Sequence, residues 1–251
     1  MAATRVSPRK SPLFSSAAQA GTFIVVEIGP ERTKYHLHKE FLMHNSEYFL
    51  KAFSGHWKEA ETGLVVLEDV ESGIFNVFVN WIYSGKLPDS PKEWMDVVGA
   101  KKSDDGIKAF RLARLKTWVL SDRLLAHNLR QQLNNSLVDK IIENNRLPHY
   151  STIIWAFRNL PSHCRLLELM VDVHCLRWHE EYDYPDQVEL RTELPNEFLI
   201  KVMIQQSRMI RGRRIQKLYR CKYHEHASEE EKRNCDGYDE KEEKRGRRTG
   251  N

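Results

Sequence analysis

The fold turns on the stretch "KYHLHKEFLMHNSEYFLKAF", residues Lys34–Phe53. Its opening alternates, with Tyr35 and Leu37 on one side of an extended chain and His36 and His38 on the other. The period then changes. Phe41 and Leu42 belong to one short helix, Asn45 or Ser46 can cap a second, and Phe49, Ala52 and Phe53 share a face of it. Gly55 ends the pattern. A strand that runs straight into two short helices is therefore expected. Three of the chain's 11 histidines lie here, which raises the question of a metal. Two histidines at i and i+2 can chelate zinc from one strand face, with His44 in reach. A catalytic zinc, however, needs three protein ligands and partners that orient them.

Working outward, "FIVVEIG" (Phe23–Gly29) is β-branched and bounded by glycine and Gly29-Pro30, so it reads as a strand paired in a hairpin with "TKYHLH". "GLVVLEDV" (Gly63–Val70) is a further strand. From Ser72 the apolar residues Ile74, Phe75, Phe78, Val79, Trp81 and Ile82 take helical spacing until Gly85. Residues 86–105, with two prolines and paired charges, read mostly as loop. From Ile107 the pattern is helical almost throughout. One segment carries Phe110, Trp118 and Leu124, and the next carries Leu129, Leu133, Leu137 and Ile141. Ile153, Ile154 and Phe157 then mark a short helix. Ser162 is expected to cap a longer one bearing Leu166, Leu167, Met170 and Val173. "WHEEYDYPDQ" (178–187) reads as a polar loop, and "LPNEFLIKVMIQQSRMI" (194–210) as a last amphipathic helix.

The order strand–strand–helix–helix–strand–helix around this stretch resembles the BTB/POZ domain. His38-Lys39 follow the strand, Leu42 is the buried leucine, and Ser46, Tyr48, Phe49 and Phe53 follow in register. "WKEAETGLVVLEDVESGIFNVFVNWIYSGKL" and the helical pair "RLARLKTWVLSDRLLAHNLRQQL" continue the likeness over roughly residues 21–142. The resemblance implies an α+β fold, a small sheet flanked by helices, and a protein–protein interaction module. It gives His38 a packing and hydrogen-bonding role at the strand–helix junction and leaves His36 and His44 as surface residues. It also implies oligomerisation through the first strand and the helical pair. Thr22 departs from the pattern there, since many members carry an aspartate just before that strand. The helices that follow are similar to the extensions of many fungal BTB proteins. Four parts are expected: a disordered N-terminus over 1–20, the BTB/POZ domain over 21–142, a helical extension over 143–210 and a charged disordered tail over 211–251.

The 251 residues include no apolar run long enough to cross a membrane, and no secretory signal is expected. Cys164, Cys175, Cys221 and Cys235 are too few and scattered for a disulfide framework, which favours an intracellular setting, cytoplasmic or nuclear. No phosphate-binding loop, nucleophile elbow or carboxylate pair is present, so neither an enzyme nor a cofactor is expected. No metal site is assigned. Beside the histidines of the opening stretch, the candidates of suitable chemistry are Cys221, His224, His226 and Cys235, spaced C-x2-H-x-H-x8-C, with free polar residues as the plain alternative. Trp57 and Glu59 are the expected protein-interaction residues. Members of the resembled family that recruit a cullin ubiquitin-ligase scaffold carry an apolar residue, any residue, then glutamate at this place. A ubiquitin-ligase adaptor is thus one reading. A nuclear scaffold or transcription-associated protein is the other, using seven Lys/Arg from Arg208 to Lys222 and the cluster Lys244–Arg248. With a formal charge of only +4, nucleic acid is not the expected partner.

Overall fold

The computed structural model describes residues 12–100, 106–144, 147–212 and 217–237. The chain divides into two compact units, Met1–Arg130 and Gln131–Asn251.

The first unit is built on a three-stranded mixed sheet ordered β2-β1-β3. β1 (Phe23–Ile28) and β2 (Thr33–His38) pair antiparallel, with Phe23 opposite His38. β1 and β3 (Leu64–Leu67) pair parallel, with Val25 opposite Leu64. A parallel pair needs a crossover, and helices supply it: α2 (Lys39–Asn45), α3 (Glu47–Ser54) and the short α4 (Lys58–Thr62). Before β1 lies α1 (Phe14–Ala20), within the segment expected to be disordered. Its Ala17 is buried, and its Phe14 ring lies 5.8 Å from both His38 and Phe41. After β3 come α5 (Ser72–Ser84), α6 (Pro91–Val98) and α7 (Gly106–Arg123).

The core sits between the sheet and α2, α3 and α5. Val26, Ile28, Leu42, Phe49, Phe75 and Phe78 are all fully buried. Phe78 lies between Phe49 (6.2 Å) and Phe75 (5.6 Å). Burying each such ring contributes roughly 1.5–3 kcal/mol, which explains why the apolar spacing reveals this unit so readily.

Helix α6 falls in the stretch expected to be loop. Ser90 caps it, accepting from the Glu93 amide at 3.2 Å, and Glu93 reaches back to accept from the Asp89 amide at 2.9 Å. Pro91 occupies the first turn, where a missing N–H costs nothing. Trp94 is buried, and its indole N–H donates to the Pro88 carbonyl at 2.9 Å.

The second unit takes over within α8 (His127–Glu143) and is mainly helical: α9 (Tyr150–Asn159), α10 (Arg165–Arg177), α11 (Pro185–Leu190), α12 (Asn196–Ile210) and α13 (Arg220–Tyr223). Among the described residues, strands are confined to the first unit. Helix α10 starts at Arg165 with Cys164 at its cap position, not at a Ser162 cap, because the Cys164 amide donates back to the Pro161 carbonyl in a turn. The segment expected to be a plain polar loop contains a short 3-10 turn at Glu180–Tyr182 and Asp183, whose side chain is fully buried. Asp183 accepts from the Tyr150 hydroxyl (2.8 Å), the Trp178 indole (3.2 Å) and the Arg191 guanidinium (2.9 Å).

Part of the expected disordered tail is also packed. Leu218, Cys221, Tyr223 and His224 are buried, and residues 229–237 are helical. Tyr223 supplies the apolar body that holds this segment, and its hydroxyl donates to Asp172 at 2.7 Å. Lys222 donates to the same carboxylate at 2.7 Å. Lys244–Arg248 and the remaining tail lie outside the described residues, as do residues 1–11.

Candidate interaction site and a tail cluster of cysteine and histidine

The residues of the opening stretch converge on one corner of the first unit. His38 ends β2 and precedes α2, with its ring 4.5 Å from Phe23 and 5.7 Å from Tyr83. The Tyr83 hydroxyl lies 2.9 Å from His38 Nδ1, and the His38 amide donates to it at 3.1 Å. Lys39 lays its ammonium over the Phe53 ring at 5.8 Å, and its amide donates to the Thr22 carbonyl. Ser46 is buried and does two things at once. Its hydroxyl oxygen accepts from the Phe49 amide at 3.2 Å, capping α3, and its proton goes to the Leu124 carbonyl at 2.6 Å. Leu42, Phe49 and Phe53 form the core beneath. Tyr48 is half-buried, edge-on to Phe49 at 5.2 Å. Burial raises its pKa, the Arg123 charge opposes the rise, and Glu59 adds to it. His36 is exposed and His44 half-buried, and neither belongs to a metal-competent group among the described residues.

Just past α3 the chain turns outward. Trp57 is the cap position of α4 and is 63% exposed. Its indole lies across Gly55, where an added Cβ would meet the ring at 2.7 Å. The indole thus rests on backbone rather than in the core. Glu59 is half-buried on the first turn of α4, where a carboxylate complements the helix dipole. The two residues thus lie at the cap and first turn of one short helix.

A second exposed apolar group lies at the start of the unit: Leu13, Phe14 and Phe23. In the second unit, α12 buries Phe198 but leaves Ile200, Met203 and Ile204 exposed.

Three of the four tail candidates are brought into one group, and His224 joins it through Cys235. The ligand atoms of Cys221, His226 and Cys235 lie within 4.8 Å of one another. Cys221 Sγ is 3.6 Å from His226 Nε2, and Cys235 Sγ is 3.4 Å from His224 Nδ1. The other nitrogen of His224, Nε2, is 3.1 Å from the Asp139 carboxylate on α8. Helix α13 positions Cys221, the turn that follows it carries both histidines, and the helix at 229–237 carries Cys235. Ser228 and Glu231 fix that second helix: the Glu231 amide donates to Ser228 at 3.1 Å, and Glu231 accepts from the Ala227 amide at 2.8 Å. Burial, followed by hydrogen bonding to Asp236 and the proximity of Cys235, pushes the Cys221 thiol up to about 12. Cys164 and Cys175 are buried, and burial pushes the Cys175 thiol up to about 11, which makes it a poor nucleophile.

Comparison with known proteins finds one domain match, within the first unit. Residues 13–103 match the BTB/POZ domain. Kelch repeat and BTB domain-containing protein 4 from Homo sapiens and from Pongo abelii are each 31% identical over 75 residues, which is 30% of this chain and 14% of those proteins. The Mus musculus protein is 35% identical over 65 residues, 26% of this chain and 12% of its own length. The chain therefore spans only a small part of the length of these relatives. No described helix is long and apolar enough to cross a membrane.

Proposed function

We propose, from a BTB/POZ domain at residues 13–103, that this protein is an intracellular interaction adaptor rather than an enzyme. In this reading the domain associates with a second BTB chain or another copy of itself. Trp57 and Glu59 engage a cullin-type ubiquitin-ligase scaffold, and the helical region from about 145 to 210 holds a partner.

The observation that carries the reading is the setting of Trp57. A tryptophan 63% exposed, seated on Gly55, three residues past the end of α3 and two before an acid, leaves a large apolar area in water that a partner would cover. Tryptophan is also the residue most enriched at interface hot spots. The exposed Leu13, Phe14 and Phe23 support association near the first strand, and the exposed face of α12 supports a partner on the helical region. A BTB/POZ domain is itself an interaction module without catalytic chemistry.

A pull-down comparing wild type with Trp57→Ala/Glu59→Ala tests the reading. Wild type is expected to retain a cullin and the double variant to lose it, with no change in melting temperature. If wild type retains none, the ligase role fails and oligomerisation alone survives.

A further inference from the structure

We propose that Cys221, His224, His226 and Cys235 bind one zinc ion, and that this ion fastens residues 217–237 to the helical unit. The site is structural, since two thiolates and two imidazoles complete a tetrahedral shell and leave no position for substrate.

Three independent observations converge. The first is spacing in space. Zinc holds sulfur at about 2.3 Å and imidazole nitrogen at about 2.0–2.1 Å, so a tetrahedral S–Zn–N pair stands roughly 3.6 Å apart. The two cysteine–histidine pairs here measure 3.6 and 3.4 Å. The second is orientation. His224 presents Nε2 to the Asp139 carboxylate at 3.1 Å and turns Nδ1 toward Cys235. Metal-bound histidines are held in this way by a carboxylate, which fixes the tautomer and raises ligand basicity.

The third is composition. Over 224–237 the only apolar residues are Ala227 and Cys235, yet the segment makes a defined turn and a capped helix. So little apolar surface cannot offset the conformational entropy of ordering it, at roughly 1–2 kcal/mol per residue. The hydrogen bonds between Asn135 and the Glu225 backbone, 2.8 and 3.0 Å, place the turn, and the helix beyond it is met by polar contacts, Gln131 donating to the Glu231 carboxylate and Cys221 Sγ to the Lys232 carbonyl at 3.7 Å. A metal site supplies what the core does not. The donor set of soft sulfur and imidazole selects zinc over magnesium or calcium.

The test uses the full chain purified without chelator. Elemental analysis is expected to find one zinc per chain. Exchange with cobalt is expected to give the visible absorption of a tetrahedral thiolate site, and Cys221→Ser/Cys235→Ser should abolish both. Asp139→Asn keeps all four ligands and is expected to weaken metal affinity by about 10–100-fold, which guards against a cysteine variant that simply misfolds. Chelation of the wild type should make bonds after Lys222 and Lys232 sensitive to trypsin. Absence of zinc together with failure to take up cobalt overturns the proposal. So does an octahedral cobalt spectrum, or a Cys221–Cys235 disulfide in freshly prepared protein.

Discussion

Ser46 shows how much one side chain can settle. Its hydroxyl closes the open amide end of α3 and donates to the Leu124 carbonyl, 78 residues later in sequence, while almost wholly buried. Ser46→Ala removes both bonds and leaves the Leu124 carbonyl with only the longer bond from the Tyr48 amide, 3.4 Å. We expect a loss of about 1–3 kcal/mol in chemical denaturation. A change within a few tenths of a kcal/mol would mean that water replaces the hydroxyl at no cost. His174 works in the opposite sense. It is packed against Tyr150, Trp178 and Phe198, and its Nδ1 has no hydrogen-bond partner among the described residues. Burial pulls its pKa from 6.5 down to about 4, with Asp183 opposing. The folded chain thus refuses a proton that the unfolded chain accepts, so stability is full above 6.5 and falls as pH drops toward 4. At pH 5 the loss attributable to this group is about 2 kcal/mol. Denaturation at pH 7 and pH 5 should show that loss in wild type and not in His174→Gln. Equal losses in both would exclude His174 as the source.

Among the elements, the junction of α5 and α6 makes the sharpest demand. A Cβ on Gly73 would lie 2.3 Å from the Val98 carbonyl oxygen, a backbone atom that cannot rotate away. Helix propensity alone favours alanine over glycine by about 1 kcal/mol. The close approach should win, and Gly73→Ala is expected to destabilise by about 1–3 kcal/mol in thermal or urea unfolding. A gain in stability would show that α6 shifts freely. The same pair of helices shows what the sequence does and does not reveal. The hairpin, the α2–α3 pair, β3 and α5 are legible because buried aromatic and aliphatic residues repeat at strand or helix period. Helix α6 buries chiefly Trp94, so its apolar signal is faint and its prolines dominate. Its real signature is the Ser90–Pro91–Glu93 cap, which is present in the sequence but easily taken for loop chemistry. The helix at 229–237 hides in the same way behind its charges, with Ser228 and Glu231 as its cap. Asp183 was not legible at all, because nothing in "WHEEYDYPDQ" says that Tyr150 and Arg191 will converge on that one acid.

At the scale of the whole molecule, two units with different debts to apolar packing share the chain. The first is an aromatic core on a small sheet, and its exposed Leu13, Phe14 and Phe23 are the surface that the proposed association with a second subunit would use. Phe14→Asp/Phe23→Asp is expected to convert an oligomer to monomer in light scattering behind size exclusion, with each unit still folded. A wild type that is monomeric at every concentration would remove that surface from the account. Trp57 and Glu59 can be picked out of the sequence as candidates because the spacing that the family resemblance supplies is local; the structure places Trp57 exposed and Glu59 half-buried. The tail cluster was legible only as four residue types in order, since its shape depends on Asp139, far away on α8.

Asp172 bears on how the basic segment can be studied. Its carboxylate is 5% exposed and is satisfied by Tyr223 and Lys222, both beyond the residues a deletion would spare. Cutting the chain before 217 would strip a buried acid of both donors, at a cost of about 3–5 kcal/mol. A truncated protein that mislocalises or precipitates would then report on a damaged interior rather than on lost positive charge. Neutralising Arg208 and Arg211, both exposed, separates address from architecture where deletion conflates them.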